Sequence, residues 1–179
     1  MTNQMKVEEG RTKLIVKHKG ENLTFIHPPF GPDNYSNVED QIKAAKEIKL
    51  ERPTMTQTAS LVNTAFNSED KYSNEIKEIM RTNWLWAFTG ILYVPKEGAY
   101  IQDLPEVKNG KPFMEKSDLV KKLEENDPSV RFVPFGFKIN EMTPRELAKN
   151  KFIIGLTGEE GADKLAETAG KFSRLNPYL

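Results

Sequence analysis

Apolar residues recur along this chain at two periods, and the changes of period divide it into elements. Thr12 to His18 and Leu23 to His27 are short β-rich runs separated by Lys19-Gly20-Glu21-Asn22, a pattern that predicts a hairpin. Pro28 to Tyr35 then holds three prolines and a glycine and continues neither a ladder nor a helix. Helical spacing follows. Ser36 with Glu39 has capping-box spacing ahead of Val38, Ile42, Ala45 and Ile48, which predicts a helix over 37–49. Thr54 with Gln57 repeats the box ahead of Met55, Ala59, Val62 and Phe66, the cleaner pattern, over 55–66. A third helix is expected from Ser73 to Thr82, burying Ile76, Ile79 and Met80.

Trp84 to Val94 switches to a β-rich run, joined by Pro95-Lys96-Glu97-Gly98 to Ala99–Asp103. A four-residue loop there sets Val94 against Ala99 and Tyr93 against Tyr100, with Trp84, Trp86, Phe88, Leu92 and Val94 sharing one face with Ile101. Asn109-Gly110 marks a turn. A helix is expected from Ser117 to near Asn126, with Leu119, Val120 and Leu123 inward. Val130 to Phe137 reads as a strand, and Pro134 confines it to an edge or a bulge. Thr143-Pro144-Arg145-Glu146 combines an N-cap, a proline at the first helical position and the capping-box glutamate, the most specific local signal in the chain. Phe152 to Leu156 is expected as a last buried strand and Ala162 to Phe172 as a last helix, burying Leu165, Ala169 and Phe172.

The order ββααα, ββ, αβαβα predicts an α+β fold: a mixed or largely antiparallel sheet of two β-hairpins and two further strands, packed by about six helices. At 179 residues one domain is the default, with residues 1–10 as a flexible tail and 11–179 as the domain. An alternative division falls near 104–112, where Leu104-Pro105 and Asn109-Gly110-Lys111-Pro112 resemble a linker.

Composition narrows the chemistry. The absence of cysteine removes thiol nucleophiles, thiolate metal sites and disulfides together. Lys plus Arg and Asp plus Glu both number 26, and over 1–50, 51–100, 101–150 and 151–179 the two signs differ by one residue at most. No basic arm or acidic tail is present, which argues against a nucleic-acid partner held by phosphate neutralisation. The first ten residues carry no apolar signal core, and the longest apolar stretch, Trp84 to Val94, is far short of the ~20 residues that span a bilayer. A soluble cytoplasmic chain without a membrane partner is expected.

Two sets of residues merit attention as sites. Gly155, Gly158 and Gly161 follow the expected strand Phe152–Leu156, and a phosphate could rest on the helix amides beyond it, with Thr157, Gly158 and Gly161 as binding residues. The G-x-x-G-x-x-G spacing matches neither a dinucleotide fingerprint nor a P-loop, and Glu159 and Glu160 occupy the anion's place. An ordinary glycine-rich turn is the plainer reading. His27, at the mouth of the proline loop, and Arg81, ahead of the aromatic run, complete this ligand set. In the expected register His18 and His27 stand about 13 Å apart and share no metal. The aromatic cluster Trp84, Trp86, Phe88, Tyr93 and Tyr100 could stack bases, although buried sheet packing explains the same spacing.

The second set is Arg131, Val133, Phe135 and Phe137. A phenylalanine-rich edge strand could accept a partner strand or a second copy of the chain. No cofactor and no metal site is expected, and no catalytic motif is found. Function therefore has two readings: a soluble binding or assembly module, a candidate homo-oligomer, or a small-molecule or nucleotide-handling enzyme using the Gly155–Gly161 turn.

Overall fold

A computed structural model describes residues 6–8, 11–27, 50–82, 85, 87–109 and 111–171. The expected helix over 37–49, Trp84, Trp86 and Phe172 lie outside the described residues. The chain is α+β, with antiparallel strand pairing throughout the described residues.

The first sheet contains β1 (Lys6–Glu8), β2 (Arg11–His18) and β3 (Glu21–His27). Its hairpin turn is tighter than the sequence suggests. Lys19 (φ 49°) and Gly20 (φ 82°) alone make the turn, so His18 pairs with Glu21, Val16 with Leu23 and Thr12 with His27. Positive φ at both central residues is the turn that matches strand twist. His18 and His27 consequently end six positions apart, roughly 20 Å at ~3.3 Å per residue. Part of the expected tail, Lys6–Glu8, forms a third strand against Arg11–Lys13.

Leu14 and Val16 project from β2 onto α1 (Met55–Phe66) and α2 (Lys71–Thr82), forming a core with Leu61, Ala65 and Ile76. Both parts of the Thr54/Gln57 capping box form. The α2 helix starts earlier than its apolar stripe implies, because the Asp70 carboxylate accepts from the Tyr72 and Ser73 amides. Met80 is exposed on this helix instead of buried.

The second sheet has the order β4-β5-β8, from Thr89–Val94, Gly98–Asp103 and Val130–Pro134. Pro134 ends β8 on an edge, as proline requires. The β4–β5 register differs by one residue from the expected one: Val94 pairs with Gly98, Tyr93 with Ala99 and Leu92 with Tyr100. Lys96 (φ 65°) and Gly98 (φ 150°) shorten the loop. A one-residue slip exchanges faces, so Ile101 shares its face with Ile91 rather than with Leu92 and Val94. Tyr100 consequently meets Phe132, at a ring separation of 4.7 Å, and not Tyr93.

Each face of this sheet meets a helix. On one face, α3 (Lys116–Glu124) places Leu119 against Tyr100 and Val130. On the other, Phe152 and Leu156 cover Ala99, Ile101 and Val133. The stretch considered as a linker folds as a small hairpin, β6 (Glu106–Lys108) with β7 (Lys111–Phe113). Met114, Pro105 and Pro112 crowd Gly90 there, leaving no room for a side chain.

The largest departure from expectation is Phe152–Leu156, which is helix. Thr143 and Glu146 make their capping box at the start of α4 (Pro144–Lys149), and the Glu146 carboxyl is held down to about 2 by the Thr143 amide and hydroxyl. Asn150 then accepts from the Phe152 and Ile153 amides and opens α5 (Lys151–Gly170). A five-residue apolar run carries no period that separates a strand from a helix buried on several sides. This one faces the sheet through Phe152 and Leu156, and α4 through Ile153.

Gly155 is the contact point of α5 with the sheet. A Cβ there would stand 2.6 Å from Val133 Cγ2 and 2.9 Å from Ile101 Cδ1. Gly158 leaves the helical region (φ 71°, ψ 170°) and bends the helix in two. We expect Gly155→Ala to lower unfolding free energy by about 1–3 kcal/mol, the cost of overpacking, in denaturant titrations, and Gly170→Ala, with open space around it, to be neutral or stabilising. Equal effects from the two substitutions would contradict the close approach.

Candidate functional site

The glycine-rich segment lies within α5 rather than between a strand and a helix. Thr157 is fully buried, and its hydroxyl donates to the Ile153 carbonyl at 2.8 Å. Gly161 packs so close to Thr157 that a Cβ would sit 2.6 Å from the threonine Cβ. Beyond the Gly158 bend, the Glu160 carboxylate accepts from the Lys19 amide at 3.4 Å and pairs with Lys164 at 2.6 Å.

His27 and Arg81 are elsewhere. His27 Nε2 is 2.8 Å from Glu75 Oε2, with the ring edge-on to Tyr72. Arg81 pairs loosely with Glu78 at 3.8 Å and lines an open groove of about 500 Å³ with Lys77, Lys171, Glu69 and Glu78. Among the described residues, no contact of His27 or Arg81 reaches Thr157, Gly158 or Gly161: His27 meets Glu75 and Tyr72, and Arg81 pairs with Glu78.

A polar cluster that sequence reasoning missed joins the tip of the first hairpin to two helices. Ser60 Oγ lies 2.9 Å from His18 Nδ1 and accepts from Lys164 Nζ at 3.0 Å, while the same ammonium donates to the Lys17 carbonyl at 3.2 Å. A serine between a lysine and a histidine is the grouping from which acyl transfer can be built. Here Ser60 is 1% exposed, and Lys164 Nζ is paired with the Glu160 carboxylate at 2.6 Å. The cluster acts as a clasp. No local pattern announces it, since Ser60 and Lys164 are 104 residues apart; the available hint was a serine inside the buried stretch Thr58–Val62.

His18 in this clasp is pushed below its usual 6.5, first by burial, then by Lys19 and Lys164, against a smaller opposing pull from Glu160. The Ser60 hydroxyl proton has two acceptors within reach, the Thr56 carbonyl at 3.5 Å and His18 Nδ1 at 2.9 Å.

On the β8 side, the four residues of the expected edge site divide. Arg131 Nη1 and Nη2 grip the two Asp103 oxygens at 2.7 and 3.0 Å, and its Nε donates to the Gly155 carbonyl at 2.6 Å. Val133 is buried beneath α5. Phe137 stacks on Phe152 at 4.6 Å and meets the edge of Tyr93 at 6.4 Å. Phe135 is 59% exposed. Of the four, Arg131 and Val133 lie on the face that α5 covers.

Near Phe137, apolar surface meets solvent. Tyr93 is 51% exposed and Ile91 40%, both on β4, and Phe135 shares with Phe137, Lys138 and Asn150 a shallow cleft of about 230 Å³. Tyr93 meets the partly buried Phe137 ring, and Phe135 lines the same cleft as that ring. Among the described residues no three His, Asp or Glu side chains gather as a metal site, and no helix is long and apolar enough to cross a membrane. No family model matches the chain, and neither a curated protein nor a solved structure matches it.

The sign of the His18 effect is fixed. A histidine depressed in the folded state leaves the unfolded chain holding more protons below 6.5, so its contribution is present above that pH and is lost as pH falls toward the folded-state value. Unfolding free energy followed from pH 7.5 downward should decline more steeply for the parent chain than for His18→Gln, and parallel curves would refute the clasp's role.

Proposed function

We propose that this chain is a binding or assembly module that docks another polypeptide through the apolar surface at Tyr93, Phe135 and Phe137. The observation that carries this reading is the exposure of Tyr93, whose ring meets Phe137 edge-on, and of Phe135, which lines a cleft with Phe137. Aromatic side chains left in water beside an anchored ring are the residue types that dominate protein interfaces. The locally balanced charge supports the same view, since it supplies no strong field to select a polyanion or an acidic partner. The grouping of Ser60 with His18 and Lys164 is shut from solvent at Ser60.

A photo-crosslinking residue at position 135, with light scattering across a concentration series, tests the reading. A discrete adduct that disappears in Tyr93→Lys is the expected result. Absence of any discrete adduct, together with a monomer at every concentration, would overturn it.

A further inference from the structure

We infer that β4 pairs with itself: two copies of the chain join antiparallel about a two-fold axis at Ile91, extending β4-β5-β8 into one six-stranded sheet. This names the partner for the docking surface just described and rests on that reading.

The two edges of the sheet are unequal. Leu104 N donates to the Phe88 carbonyl and Glu97 N to that of Val94, so the even-numbered residues of β4 turn their main chain toward β5. Alternation turns the amides and carbonyls of Thr89, Ile91 and Tyr93 outward, where no described strand pairs with them. On β8, Asp103 N donates to Ser129 O and Phe135 N to Glu97 O, which places residues 130, 132 and 134 on the outer side. Val130 N is already spent on the Asp127 carbonyl, and Pro134 has no N–H, so Phe132 alone retains an outward donor. Proline and a turned-in amide blunt β8 in the manner of protected edges. Among the described residues nothing comparable guards β4.

A second copy fits this edge for three reasons. The outward residues are spaced by two and centred on Ile91, so a two-fold axis sets Ile91 against Ile91 of the partner subunit and Thr89 against the partner's Tyr93, matching every outward donor with an acceptor. Residues 89–94 contain no charge, so the symmetry brings no like charges together, and the whole chain has no net charge to oppose association. Ile91 and Tyr93 are the half-exposed apolar side chains of that strand, and self-pairing covers them.

The cysteine-free sequence offers a direct test. A hydrogen-bonded antiparallel pair has Cα atoms about 5.5 Å apart, within disulfide range. Full-length Ile91→Cys should form a disulfide-linked dimer under mild oxidation, whereas Phe132→Cys on the blunted edge should not. In sedimentation equilibrium, Ile91→Pro deletes one outward amide without touching the β4–β5 ladder and should weaken dimerisation by about thirtyfold or more, the scale of a hot-spot residue. Phe132→Pro should leave it unchanged. A parent chain that stays monomeric at hundreds of micromolar, or an Ile91→Cys chain that forms no linked dimer, would overturn the self-pairing. If the cross-linker at position 135 still gives its Tyr93-dependent adduct in that event, only the identity of the partner has failed; if it does not, the docking reading fails as well.

Discussion

The guanidinium of Arg131 reaches from an edge strand to a carboxylate on the central strand and to the Gly155 carbonyl, just ahead of the Gly158 bend. The last carbonyls of a helical segment have no amide of their own to accept from, and a cation is the favoured partner at that end. Asp103 completes the arrangement, because its Oδ1 also accepts from Thr89, whose oxygen in turn receives the first amide of α1 at Met55. One connected network thus runs from α1 through all three strands of the second sheet to α5. Hydrogen bonds to charged groups contribute about 1.5–3 kcal/mol each, and three of them meet on this one side chain. Gly155 makes the arrangement sterically feasible, since any side chain there would hold α5 away from Val133 and Ile101.

The bend at Gly158 also assigns the two parts of α5 to different cores. Phe152 and Leu156 pack on the second sheet, whereas Ala162 and Ala169 join the cluster that includes Leu147. The same distal segment carries Lys164 to the hairpin tip and Glu167 to Asn63 on α1 and Asn67 just past its end. The fold is therefore two sheet-and-helix units sharing one bent element, with charged and amide side chains making the connections where apolar area is small.

Elements with a self-contained signature were legible in the sequence. The Thr54 and Thr143 boxes define their helix starts through contacts three residues apart, and the edge position of β8 follows from a missing N–H at Pro134. Features decided by distant contacts were not. Phe152–Leu156 is helix because Asn150 caps it and the sheet and α4 bury different sides of it; alternation and helical period are indistinguishable over five apolar residues. Both hairpin registers slipped because positive φ at Lys19 and Lys96 shortens the loops, and lysine does not advertise that conformation as asparagine or glycine does. The candidate site divided along the same line. Phe135 is recognisable as an aromatic beside an edge, whereas the outer edge of β4 is not, because aromatics at period two read equally as buried sheet. An uncharged run from Thr89 to Val94 was the available signal.

The clasp at the hairpin tip bears on the order of events during folding. Lys164 binds the Lys17 carbonyl across 147 residues, so that contact closes nearly the whole chain into a loop. Loop-closure entropy must be overcome before such a contact returns any enthalpy. The β2–β3 hairpin, α1 and α2 all precede α5 in the chain, so their polar edge at Ser60 and His18 finds its cation only after α5 has been made. Ser60 and His18 thus stay without their Lys164 contact until α5 docks, which places the clasp late in folding.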